Sequence, residues 1–176
     1  MQDIGAALYR PQTMDAVFTT DTRADIHGLA KAIATSAASD ALRCQFDESQ
    51  WESMAGYFQP FALQSGQVVI EKGAQDRTLY FIESGGLSVH YEDEKGRVRM
   101  ALVAPGSVVG EGAFFSHLPR SATVQSTGFS KLWCMTSLRF LELSNRHSPL
   151  ALELAIALGS VMAKRLYNRP RRVAVT

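Results

Sequence analysis

Glu111 and Arg120 stand nine residues apart in the stretch GEGAFFSHLPRSAT, Gly110 to Thr123, with Pro119 directly before the arginine. A guanidinium is a planar fork that matches two free oxygens of a phosphate. Gly112 and Ala113 carry almost no side chain, so their amides can approach a ligand closely, and amides opening a short helix form a natural anion site. Ser121 adds a hydroxyl. A carboxylate nearby would repel the same phosphate, so Glu111 must face a neutral donor such as a sugar hydroxyl. Phosphate plus hydroxyl at short range describes a nucleotide. One arginine, with no Walker lysine motif and no metal-binding acids, favours a single negative charge over a triphosphate. The competing reading is a structural ion pair between Glu111 and Arg120 in a fold without a ligand.

Other chemistries find little support. His27, His90, His117 and His147 are dispersed, with no paired spacing of the metal-ligand kind. No Gly-x-Ser-x-Gly elbow occurs. Cys44 and Cys134 lack a spacing partner of metal or redox type and are expected to be buried, reduced thiols. No catalytic residue, metal or cofactor is expected, and the chain is not read as an enzyme.

The elements that must position these residues are legible in the surrounding texture. RADIHGLAKAIATSAA, 23–38, places Ile26, Leu29, Ala30 and Ile33 at helical spacing. DESQWESMAGYF, from Asp47, has an acidic first turn and an apolar face of Trp51, Met54, Ala55 and Phe58. After Pro60, short runs recur about every ten residues with glycines between them: QVVIE, TLYFIE, LSVHYE, VRMALV, SATVQS and KLWCMT. This is the pattern of an antiparallel sandwich or barrel. YEDEKGRVR predicts a hairpin turning at Gly96, and LVAPGSVVG a strand running into Glu111. GAFFSHL has the length of one or two helical turns, with Phe114 and Phe115 as core anchors. SLRFLELSNRH predicts a helix. SPLALELAIALGSVMAKRLYNRP predicts a longer one, with Ser148 as N-cap, Pro149 at its first position and Pro170 as terminator. Its apolar stripe (Leu150, Leu154, Ala157, Leu158, Val161 and Met162, flanked by Leu152, Ile156 and Leu166) suits either core packing or a seam with a second copy.

The cassette GEGAFFSHLPRSATV closely resembles the phosphate-binding cassette of the cyclic nucleotide-binding domain family, where Gly-Glu-x-Ala precedes (Pro)-Arg-(Ser/Thr/Ala)-Ala. The likeness extends back through LQSGQVVIEKGAQDRTLYFIESGGLSVHYEDEKGRVRMALVAPGSVVGE and, with flanking helices, covers about residues 47–166. It implies a mainly β fold: a double-stranded β-helix, or jelly-roll-like β-roll, with N-terminal helices and a long C-terminal helix. By position it implies that Arg120 pairs with a cyclic phosphate and Glu111 accepts from the ribose 2′-hydroxyl. Gly110, Gly112, Ala113 and Ala122 would line the same oxygens, Ser121 would lie near phosphate and base, and Val89 and Met100 would be apolar neighbours of the base. The implied ligand is cAMP or cGMP; Ser121 does not separate them, and cyclic di-GMP is the alternative. Gly112 departs from the family, which usually has a large apolar residue there. The resemblance further implies a regulatory module signalling through the C-terminal helix to a protein partner. A regulator acting on DNA through a partner, and a ligand-free scaffold, are the other classes.

The bulk numbers agree with a soluble globular chain. There are 176 residues, 46% hydrophobic and 20% charged, with a formal charge of +1 that gives no overall pull toward nucleic acid or lipid. No secretory signal and no window of about eighteen apolar residues occurs, so a cytoplasmic, non-membrane protein is expected. Residues 1–22 are assigned to an N-terminal extension and 23–169 to one domain, with helices in 23–58, the β-roll in 59–136 and C-terminal helices in 137–169. Residues 170–176 form a basic tail; the basic set Lys164, Arg165, Arg169, Arg171 and Arg172 is expected to be solvated. A homodimer through residues 149–168 is expected. A helix-turn-helix does not follow the long helix in these residues, so no direct DNA binding is expected, and the chain is read as a stand-alone sensor or as the sensor half of a longer protein.

Overall fold

The computed structural model describes residues 26–93 and 96–168. The expected N-terminal extension and basic tail lie outside them, apart from Lys164 and Arg165. Helix α1 (Ile26–Thr35) buries Ile26, Leu29 and Ile33, as the helical spacing requires; residues 36–38 are not helical. Helix α2 (Glu48–Ala55) starts with a capping box. Asp47 Oδ1 accepts from Gln50 N–H at 2.8 Å, and Gln50 Oε1 accepts from Asp47 N–H at 2.9 Å.

Eight antiparallel strands follow: β1 (Gln59–Leu63), β2 (Val68–Ile70), β3 (Leu79–Ser84), β4 (Leu87–Glu92), β5 (Val98–Val103), β6 (Val108–Val109), β7 (Thr123–Ser126) and β8 (Ser130–Met135). They form two four-stranded sheets, ordered β1-β8-β3-β6 and β2-β7-β4-β5. This is the jelly-roll order expected of the β-roll. Ile82, Leu132, Phe61 and Leu63 of the first sheet meet Leu87, Val103 and Val124 of the second in the core between the sheets. The other face of the first sheet, with Leu79, Phe81, Trp133 and Met135, packs under the helices. Alternation along the strands of the first sheet therefore serves two cores, while the second sheet turns its other face outward.

Between β6 and β7 lies α3 (Glu111–Ser116), and after β8 come α4 (Ser137–Arg146) and α5 (Ser148–Tyr167). Thr136 caps α4, its hydroxyl accepting from Arg139 N–H at 3.2 Å. Ser148 is not the cap of α5: it is already helical, and His147 occupies the cap position without a side-chain bond. Phe114 is buried in edge contact with Phe140 of α4, whereas Phe115 is 38% exposed and anchors no core. In α5 the residues Leu150, Leu154, Ala157, Leu158 and Val161 are buried. Leu152, Ile156 and Leu166 stand on its exposed side. Among the described residues no helix is long and apolar enough to cross a membrane.

Candidate functional site

The cassette turns on Gly110. Its φ of +93° lies in the left-handed region, and a Cβ there would sit 2.6 Å from both Arg120 Nη1 and the Thr78 carbonyl oxygen. Only glycine meets both demands. The chain then enters α3, whose first described internal bond runs from Phe114 N–H to Gly110 O at 3.1 Å, leaving the amides of Gly112 and Ala113 at the open helix end. Gly112 is different in kind: a Cβ there would meet nothing within 4 Å. A methyl group there would have room, so neither backbone nor neighbours demand the glycine.

Arg120 is 3% exposed. Its Nε donates to Asp76 Oδ2 at 3.1 Å and its Nη2 to Asp76 Oδ1, in a short bidentate contact. Nη2 also donates to Thr78 O at 2.7 Å, and Nη1 to Gly110 O at 3.0 Å. A guanidinium has five N–H donors, so one hydrogen on Nη1 stays unclaimed among the described residues. Burial alone would push the Asp76 carboxyl up, but the adjacent Arg120 guanidinium more than offsets this and holds it below its ordinary range. Backbone bonds fasten the same turn: Arg120 N–H donates to Ala74 O at 2.9 Å and Gly73 N–H to Arg120 O at 2.8 Å.

Glu111 does not pair with Arg120, nor does it face only neutral groups. Its Oε1 accepts from Arg165 Nη1 of α5 at 2.5 Å. Arg165 Nε donates to Asp40 Oδ2 at 2.8 Å; Nη2 lies equally close to that oxygen but is buried without an aligned hydrogen bond. Arg165 is therefore no solvated tail residue, and the expectation of a single arginine in the site is corrected to two. Burial would lower the Arg165 pKa, but the carboxylates of Glu111 and Asp40 more than offset this and raise it.

These groups surround a cavity of about 550 Å³. Gly110, Glu111, Gly112, Ala113, Arg120, Ser121, Ala122 and Val89 all line it, so the expected residues are brought together from distant parts of the chain. Met100 is the exception. It is 43% exposed, and it pairs across the ladder with His90, whereas Ala101 pairs with Val89. Neighbouring strand residues point to opposite faces, so Ala101 and Val103 line the cavity and Met100 faces outward. Tyr91 and Glu92 also contribute, and the final helix supplies Met162, Ala163, Arg165 and Leu166, a choice the sequence left open.

A second hollow of similar volume, between α1 and the turn at Ala104–Pro105, is lined mostly by small residues. Its carboxylate, Glu83, is already committed to Trp133 Nε1 at 2.6 Å and Lys131 at 3.2 Å. Cys44 and Cys134 are free thiols, only partly exposed; burial pushes them up to about 12 and about 11. His27, which the sequence set apart from other metal-ligating residues, faces Glu48 and Glu52 across α1 and α2 on the surface, their ligand atoms within 4.8 Å of one another.

The sequence did not disclose Asp76, Asp40 or Arg165 as members of the site. Asp76 sits in the polar loop GAQDRT, and Asp40 follows a run of alanine and serine, so neither carries a local motif. Arg165 had a signal of a kind, since it falls on the helix expected to meet the base, but its position at a helix end resembles any solvated charge.

Comparison with known proteins gives the same fold and family. Residues 60–147, half of the chain, match the cyclic nucleotide-binding domain family. A cAMP-dependent protein kinase regulatory subunit from Blastocladiella emersonii is 28% identical over 136 residues, which are 77% of this chain and 33% of that protein. A cGMP-dependent protein kinase from Plasmodium berghei is 30% identical over 105 residues, 57% of this chain and 12% of that protein. The chain thus spans a third or less of these relatives. Among solved structures, a cyclic nucleotide-binding domain from Methylobacillus flagellatus superimposes with a TM-score of 0.77 over 92% of both chains at 17% identity, a likeness of fold. With its β-roll, its cassette and this match, the chain belongs to the cyclic nucleotide-binding domain family.

Proposed function

We propose that the cavity binds a purine 3′,5′-cyclic monophosphate, cAMP or cGMP, and that the chain is a non-catalytic sensor module. The observation that carries this reading is the state of Arg120. It is buried and locked by Asp76, yet one Nη1 hydrogen has no partner among the described residues, and the side chain lines a cavity that also receives the open amide end of α3. In this reading that hydrogen and the amides of Gly112, Ala113 and Ala122 take the phosphate, with the Ser121 hydroxyl beside them. Glu111 Oε2, which has no protein partner among the described residues, accepts from the ribose 2′-hydroxyl. Val89, Ala101 and Val103 supply an apolar wall for the base, and Met162 and Leu166 of α5 close the other side. A ligand of about 22 non-hydrogen atoms at about 0.3 kcal/mol each reaches about −7 kcal/mol, which is micromolar affinity.

Signal output requires that the ligand prefer one arrangement of α5. Leu152, Ile156, Gly159, Ala163 and Leu166 recur at three- and four-residue steps on the exposed side of that helix. This spacing supports a homodimer seam with a close central approach at the two small residues. The downstream partner is read as a protein.

A ligand-free scaffold is the second reading, favoured by the internal partners that Glu111 and Arg120 already have. A thermal-shift panel of cAMP, cGMP, cyclic di-GMP and non-cyclic nucleotides separates the two, because binding to the native state raises the melting midpoint. A rise with a cyclic mononucleotide, lost in Arg120→Ala, is expected. No rise with any cyclic nucleotide leaves the scaffold reading.

A further inference from the structure

The ribose acceptor is held from behind by a chain of charges that begins far from the cassette. Asp40 lies in the connection between α1 and α2, and its side chain is 10% exposed. It grips Arg165 of α5 through Nε, and the same guanidinium reaches Glu111 through Nη1, the three side chains being 10–17% exposed. One cation thus lies between two buried carboxylates. The connection is itself fastened at both ends of this bridge. Ser36 Oγ donates to Pro105 O at 2.7 Å, Leu42 N–H to Gly106 O at 2.9 Å and Ser107 Oγ to Asp40 O at 3.4 Å, all on the turn that leads into β6 and the cassette. On the opposite side Gln45 N–H donates to Glu153 Oε1 of α5 at 2.5 Å. Residues 36–45 therefore strap α5 to the strand that delivers Glu111.

We infer that Asp40 is a positioning residue for the ribose site: through Arg165 it fixes Glu111 by one carboxylate oxygen, so that the other is presented to a ligand hydroxyl. The inference rests on the ligand reading above. A glutamate without this hold has several rotamers to lose when it accepts a hydrogen bond, whereas a carboxylate fixed by one oxygen has already lost them. The two oxygens offer about four acceptor positions, so Arg165 and a hydroxyl can be satisfied together. Linkage then requires the reverse effect: a ligand bonded to Glu111 steadies the bridge, and with it the strap and the end of α5. The route from the pocket thereby includes the connection between the N-terminal helices as well as α5.

The test is a calorimetric comparison of cAMP and cGMP with their 2′-deoxy analogues. Asp40→Asn keeps the shape and removes the charge, and is expected to weaken the ribonucleotides about tenfold, the loss from one loosened hydrogen bond. Binding of the 2′-deoxy compounds, which have no hydroxyl for Glu111, is expected to stay within about twofold of the unsubstituted protein. Asp40→Ser, a smaller substitution that also removes the charge and lies outside the cavity lining, must show the same selective loss; if Asp40→Asn does not fold, this variant decides. Equal losses for both ligand series, or no loss in either, overturn the positioning role. If the unsubstituted protein binds neither series, the ligand reading itself fails, and the positioning role fails with it.

Discussion

Replacing Asp76 by asparagine removes the one charged partner that the Arg120 guanidinium has among the described residues. The arginine side chain is 2% exposed and the aspartate 29% exposed, so the cation cannot recover its hydration by moving a short way. Removing one member of a fully buried pair costs about 3–5 kcal/mol. Two features reduce that here: Asp76 is partly solvated, and Arg120 keeps its bonds to Thr78 O and Gly110 O. A loss of about 2–3 kcal/mol follows, which in a chain of this size lowers the midpoint by about 5–10 °C. Thermal or urea unfolding of native protein, Asp76→Asn, Arg120→Met and the double variant measures it. The reasoning also fixes a sign of coupling. With the arginine already gone, losing the aspartate's charge costs much less, so the double variant is more stable than the sum of the single losses predicts. A loss below about 0.5 kcal/mol for Asp76→Asn, or strict additivity, refutes the assignment of Asp76 as the anchor of Arg120.

Three further outcomes follow from the same geometry. Because Asp76 is held below the ordinary carboxylate range, its contribution is complete above about pH 4 and is lost as pH falls through the lowered value. The stability gap between native protein and Asp76→Asn, followed by unfolding at a series of pH values, therefore narrows in acid. Gly112→Ala, at a helical position with open space for a methyl group, raises stability by about 0.5–1 kcal/mol in the same unfolding assay. Ile156→Glu places a charge in the exposed apolar row of α5, and sedimentation is expected to find native dimer and variant monomer.

Much of the fold was legible because each strand announced itself by alternation and was bounded by glycine. One strand, β1, was not, and one predicted strand proved to be two. In β1 the proline of QPFAL looks like a terminator, yet β1 is an edge strand of its sheet, where Pro60 faces Trp133 and a missing donor is tolerated. The strand expected over LVAPGSVVG does run into Glu111, but the turn at Pro105–Gly106 divides it, so that Leu102 and Val103 end β5 and only Val108 and Val109 pair as β6. The cassette was legible because its residues are local. Asp76 and Asp40 were not, because they reach their partners 44 and 125 residues away and no short spacing records such a contact. Met100 failed for a different reason. Its assignment rests on position in the family's pattern, across a hairpin whose length that pattern does not fix; the ladder sets Ala101, not Met100, opposite Val89, and leaves Val98, Met100 and Leu102 on the outward row. Burial in β5 is set by the cavity beside it, and pairing with Val89 fixes the phase.

Whether this cavity takes a cyclic mononucleotide through Arg120 and Glu111 is tested most directly by a crystal structure grown with saturating cAMP or cGMP. The account predicts a phosphate oxygen within hydrogen-bonding distance of Arg120 Nη1 and the Gly112 and Ala113 amides. It also predicts the 2′-hydroxyl on Glu111, with the Arg165 bridge to Asp40 still closed. Nucleotide bound elsewhere, or a cavity empty of it at saturating concentration, would contradict it.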